Sequence, residues 1–160
     1  MDLVLTKAIS TSARISPPSL IPPGQAGTVL NSKMVDFAIH IEPSERFRRA
    51  LRERAQRSAL PMSANHTLHE PLRWRPIGVS IETKHTGQNW DEAITQVGIW
   101  TAAQLTNLEE LIKEASEIAD ERGEASQGLE VSLPFLPIII VLGHDWNFLA
   151  AIREPGKQTV

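Results

Sequence analysis

The sequence predicts a single α/β domain, and two observations carry that expectation. Four segments, 34–41, 77–84, 137–142 and 145–152, alternate or run together apolar and β-branched residues between turn formers, as β-strands do. Two others, 44–58 and 90–122, repeat apolar residues near the helical period of 3.6. A chain of 160 residues with 41% hydrophobic content can build one domain with a real core.

Met1–Ser32 is the least regular part. Asp2–Ile9 offers one short strand, and Ile15–Gln25, rich in Pro and Ser, reads as a loop. The strand at Met34–Ile41 is stopped by Pro43, and Ser44 is placed to cap a helix that runs to about Ser58. Phe47, Ala50, Leu51 and Ala55 give that helix a narrow apolar stripe; six arginines from Arg46 to Arg57 share it. Leu60–Pro76 is expected to be a long loop, because Pro61, Pro71 and Pro76 interrupt any helical pattern. The strand Ile77–Lys84 follows, then a turn at His85–Asn89 and a long helix from Trp90 to about Arg122, capped by Gly123. Glu124–Glu130 reads as a polar linker. Pro137–Leu142 (PIIIVL) reads as a fully buried strand, paired through a Gly143-His144 turn to Asp145–Ile152. The expected organisation is an irregular segment at 1–32, one domain at 33–153 and a frayed tail at 154–160.

Composition excludes several classes. No apolar run approaches the ~18 residues that cross a bilayer, so no membrane partner is expected. The first residues lack a secretory pattern, which points to an intracellular protein, nuclear or cytoplasmic. Asn65-His66-Thr67 fits the glycosylation triplet, a chance match in that setting. With no Cys there are neither disulfides nor thiolate metal sites. The net charge of −3 is unevenly spread: +2 over residues 1–35, +3 over 36–86 and −8 over 87–160. Basic charge thus gathers in the middle third, where a phosphate-bearing partner would need it.

That middle third also holds the chemistry. Asp36 lies in one apolar strand; Glu82 and Lys84, two apart in another, point to one face. Two carboxylates and an ammonium at the rim of a sheet form the minimal set for metal-assisted phosphodiester hydrolysis. A Glu-x-Lys triplet arises by chance about 0.4 times in a chain of this composition, so alone it reads as an ion pair on a solvated strand.

Asp36 followed by Glu82-Thr83-Lys84 resembles the PD-(D/E)XK nuclease superfamily. The phrases KMVDFAI (33–39), NHTLHEPLRWRPIGVSIETK (65–84), QVGIWTA (96–102) and LPFLPIIIVLGHDWNFLA (133–150) resemble fungal PD-(D/E)XK nuclease-like domain proteins, collinearly from about Lys33 to Arg153. The resemblance implies a restriction-endonuclease-like core, a central mixed sheet flanked by helices, and Mg²⁺ or Mn²⁺ held by Asp36, Glu82 and the carbonyl of Thr83. It makes Lys84 the group that positions or deprotonates the attacking water, and maps a supporting role onto Gln96. The partner implied is nucleic acid, DNA first, gripped through phosphates by Arg46, Arg49, Arg52, Arg73 and Arg75 with little sequence specificity. Two departures stand out: little chain precedes the first motif strand, so the N-terminal helix of the superfamily is expected to be lacking, and the insertion between the motif strands is long. An uncovered sheet face would make a second copy of the chain a candidate partner. The alternative reading is a non-catalytic nucleic-acid-binding or protein-interaction module on the same fold.

Other candidates rank lower. His66 and His69 have the spacing of some metal pairs but no third ligand, so loop hydrogen bonding is expected of them. His40 is expected to face away from its apolar neighbours, and His85 follows the key lysine. Trp74 reads as core, Glu70 as a surface group or an ion-pair partner of a nearby arginine, and His144-Asp145-Trp146 as a structural turn.

Overall fold

The computed structural model describes residues 5–11, 13–20, 35–57, 62–85, 90–121 and 135–153. Among the described residues, five strands form one sheet in chain order: β1 (Leu5–Ser10), β2 (Phe37–Ile41), β3 (Ile77–Lys84), β4 (Leu136–Leu142) and β5 (Asp145–Ala151). β3 and β4 are parallel and every other pair is antiparallel, so the sheet is mixed. A parallel pair needs a long return connection. The helix α3 (Trp90–Glu121) supplies it and covers one face of the sheet.

Side chains of α3 reach β3 in sequence. The indole N–H of Trp100 donates to Ser80 Oγ (3.0 Å), and the Gln104 amide donates to the Ile77 carbonyl (3.1 Å). The helix therefore runs antiparallel to β3, its first turns beside the strand's C-terminal end. Ala93, Val97, Trp100 and Ala103 pack on Ala38, Ile77, Ile138 and Ile140 to make the core.

The helix α1 (Glu45–Arg57) starts where Ser44 Oγ accepts the Phe47 N–H (3.3 Å), satisfying one of the first-turn amides. Only Leu51 of this helix is buried. Arg54, ion-paired to Glu114, ties it to the distal half of α3.

The expected long loop is, over its described part 62–76, largely buried and partly helical: Ser63, Ala64, Asn65, His66 and Thr67 are buried, and Glu70–Arg73 forms a short helix, α2. Pro71 falls in its first turn, where a missing N–H costs nothing. Irregular backbone can be buried here because Asn65 satisfies it. Its amide donates to the carbonyls of Leu72 (2.5 Å) and Arg75 (2.9 Å), and its oxygen accepts the Ile77 N–H (2.9 Å). β4 is buried on alternate residues only, since among the described residues no helix covers the face opposite α3. His40 is buried, not turned outward, and lies opposite Ile77.

His66 makes none of the loop hydrogen bonds expected of it. Both ring nitrogens are buried without a hydrogen-bond partner among the described residues, and the ring meets Trp100 edge-on at 4.1 Å. Burial lowers its pKa from 6.5 to about 3, so the imidazole stays neutral.

Two predictions follow from this buried stretch. Asn65→Ala removes three hydrogen bonds from buried main chain and should cost about 2–4 kcal/mol in urea unfolding. The unfolded chain takes up the His66 proton near pH 6.5 and the folded chain only near 3, so stability is full above 6.5 and falls below it. His66→Leu should flatten the loss of stability between pH 7 and 4, worth about 3 kcal/mol in wild type.

Candidate active site

At the C-terminal end of β3, Glu82 and Lys84 point toward α3, since their lateral neighbours Ile140 and Leu142 lie on the core side. Glu82 is 1% exposed; its Oε1 lies 2.9 Å from Lys84 Nζ, and the lysine is 15% exposed. Lys84 also donates to Gln96 Oε1 (3.3 Å), one turn before Trp100 on α3, and lies 4.0 Å from Glu92. Burial by itself would lower the Lys84 pKa. The hydrogen bond and charge of Glu82, with the charges of Glu92 and Asp36, outweigh it and raise the pKa above the ordinary lysine value. The group is an ammonium throughout the neutral range.

Asp36 stands one residue before β2, not within a strand as expected; strand ends are set by pairing, and pairing begins at Phe37 opposite Ile81. Its Oδ2 accepts the Thr83 N–H (2.7 Å) and the Thr83 hydroxyl (2.6 Å), which locks the carboxylate against the end of β3. The Gly143 N–H donates to the Lys84 carbonyl (2.9 Å), so the β4–β5 turn closes the same end of the sheet. Gly143 has a φ of 59°, which a residue with a side chain rarely adopts.

The structure thus brings Asp36, Glu82, Thr83, Lys84 and Gln96 together. Sequence reading missed Glu92, whose only signal is its place one turn before Gln96, and the side-chain role of Thr83. The arginines fall elsewhere. Arg73 and Arg75 precede β3, whose seven steps from Ile77 to Lys84 span about 23 Å. Arg73 is held by Glu70 (2.9 Å) and the Met62 carbonyl (2.8 Å), and it lies 4.9 Å from the Trp74 ring. Arg75 lies 3.7 Å from Glu42. On α1, Arg49 lies 3.9 Å from Glu53, Arg52 is paired to Glu45 (2.6 Å) and Arg48 to Glu42, while Arg46 is exposed. Since α1 follows the far end of β2 and packs on Glu114, 18 residues beyond Gln96, these groups do not border the carboxylates.

The family model of the PD-(D/E)XK nuclease superfamily matches residues 2–160, and the chain belongs to that superfamily. No curated protein and no solved structure matches it. Superfamily membership brings with it nuclease chemistry, a nucleic-acid substrate and, in general, divalent metals. The donor set fits such an ion in kind: carboxylate and carbonyl oxygens suit hard cations, and three carboxylates around one ammonium leave a negative excess. Among the described residues no group of three or more His, Asp or Glu is placed to hold a metal ion. No described helix is long and apolar enough to cross a membrane.

Lys84→Met should leave the buried Glu82 carboxylate without its cation and cost about 3 kcal/mol in urea unfolding. Glu82→Gln combined with Lys84→Met should recover most of that loss. Additive losses in the double variant would contradict the coupling drawn here.

Proposed function

We propose that this chain hydrolyses phosphodiester bonds in nucleic acid, DNA before RNA, at the end of the sheet where Asp36, Glu82, Lys84 and Gln96 meet. The observation that supports this above all is the Glu82–Lys84 pair at 2.9 Å, an ammonium kept charged at a strand end beside the exposed Thr83 and His85. Asp36, Glu82 and the Thr83 carbonyl would hold Mg²⁺ or Mn²⁺, which supplies polarisation of the phosphoryl oxygen and an activated water. Lys84, held as an ammonium by Glu82, would position the attacking water and stabilise charge growing on the phosphoryl oxygens. Gln96 anchors the ammonium from the helix side, and Thr83 fixes the rotamer of Asp36.

Arg46, Arg49, Arg52, Arg73 and Arg75 then act as remote phosphate contacts. Arg73 and Arg75, about 23 Å from the cut, would reach the backbone roughly seven base pairs away along a duplex. Phosphate contacts carry no base information, so sequence specificity is low. We place the chain beside the fungal PD-(D/E)XK nuclease-like domain proteins, and within the cell, in nucleus or cytoplasm. Two observations favour the alternative of a non-catalytic nucleic-acid-binding or protein-interaction module: Asp36 Oδ2 already accepts two hydrogen bonds, and four of the α1 arginines face glutamates.

Nicking of supercoiled plasmid separates the two. The wild type should cut in Mg²⁺ or Mn²⁺ but not in EDTA, and Lys84→Ala, shown folded by circular dichroism, should lose at least about 100-fold in rate while still binding DNA. Undiminished cutting by that variant would remove Lys84 from the mechanism; DNA binding without cutting by the wild type would favour the module.

A further inference from the structure

Exposed apolar side chains concentrate on the outermost strand. Trp146, Phe148 and Ile152 are 70, 65 and 65% exposed, and Phe135, at 41%, meets Phe148 edge-on with ring centroids 6.4 Å apart. Among the described residues β5 pairs with β4 alone, over seven consecutive residue pairs without a shift. The strand, DWNFLAA, contains neither Pro nor Lys. Proteins usually blunt an edge with bulges, prolines or lysines, because a bare edge recruits another strand.

We propose that this edge pairs with β5 of a second copy of the chain, antiparallel about a two-fold axis at Leu149. A two-fold axis perpendicular to the strand relates it to an antiparallel copy, so the central residue fixes every pair. Centred on Leu149, Asp145 lies opposite Arg153 of the second copy, and the same pair recurs at the other end. Centring on Phe148 or Ala150 destroys both charge pairs. Trp146 then meets Ile152, and Phe148 meets Ala150, each larger side chain against a smaller one on the face away from α3. Arg153 is ion-paired to Glu109 yet 34% exposed, which leaves part of the guanidinium for a second carboxylate. Contact along one strand covers less than the ~800 Å² per partner of a standard interface, so the dimer forms at micromolar concentration and above.

The chain contains no cysteine, so single cysteines report the register directly. Opposed residues in antiparallel strands have Cα atoms about 4.5–5.5 Å apart, within disulfide reach. Leu149→Cys should therefore give a covalent dimer under mild oxidation. Ala151→Cys, about 13 Å from its own copy in this register, should not. In sedimentation equilibrium, Asp145→Arg or Arg153→Asp alone should weaken dimerisation about tenfold, and the two together should restore it. A wild type monomeric at 100 μM, equal cross-linking of both cysteines, or no rescue by the double reversal would each overturn the pairing. None of these readouts requires catalysis, so they stand apart from the nuclease reading.

Discussion

The pair of Glu82 and Lys84 is the constraint around which the site end of the sheet is built. A carboxylate that is 1% exposed cannot stay ionised cheaply without a cation at hydrogen-bond distance, and Lys84 is the cation. Holding the lysine there requires β3 to end beside the first turns of α3, where Gln96 and Glu92 complete its surroundings. That in turn requires α3 to run antiparallel to β3, which the Trp100–Ser80 and Gln104–Ile77 hydrogen bonds secure. A buried ion pair contributes little net stability compared with apolar residues of the same volume. At the end of a motif strand in a chain of this superfamily, such a pair is a functional-site candidate.

Much of this was legible in the residues. The period-two strands and the long helical period placed β3, β4, β5 and α3 to within one residue at each end, while β2 begins three residues later than expected. Glu82 and Lys84 share a face because strand geometry leaves no other option. The Ser44 cap could be read because a serine hydroxyl after Pro43 meets the orphan amides of a first turn. What could not be read was tertiary. Nothing local in 62–69 says that Asn65 will bond three main-chain groups from 72 to 77 and so permit burial. Nor does periodicity reveal that Arg73 and Arg75 sit a strand's length from the carboxylates; that depends on β2 running away from the site, with α1 starting at its far end, and on β3 returning antiparallel to it.

The charge distribution acquires a different meaning once the fold is known. The basic middle third of the sequence is not a basic patch around the site, because four of the six α1 arginines face glutamates of their own helix, of the segment before it and of α3. The acidic residues of α3 include Glu92, near Lys84, and a distal stripe with Glu110, Glu114, Glu117 and Glu121. Two acidic regions on one helix therefore differ in kind. One surrounds a captive ammonium beside Asp36; the other is a helix face partly neutralised by Arg54.

Titration of the protein with Mn²⁺ under amide-resolved NMR distinguishes these regions directly. If the carboxylates at the end of β3 form the metal-dependent centre, the amide signals of Asp36, Thr83 and Lys84 broaden first, at the lowest Mn²⁺ concentrations. Broadening that begins along Glu110–Glu121, or that spares the end of β3 altogether, would contradict the account.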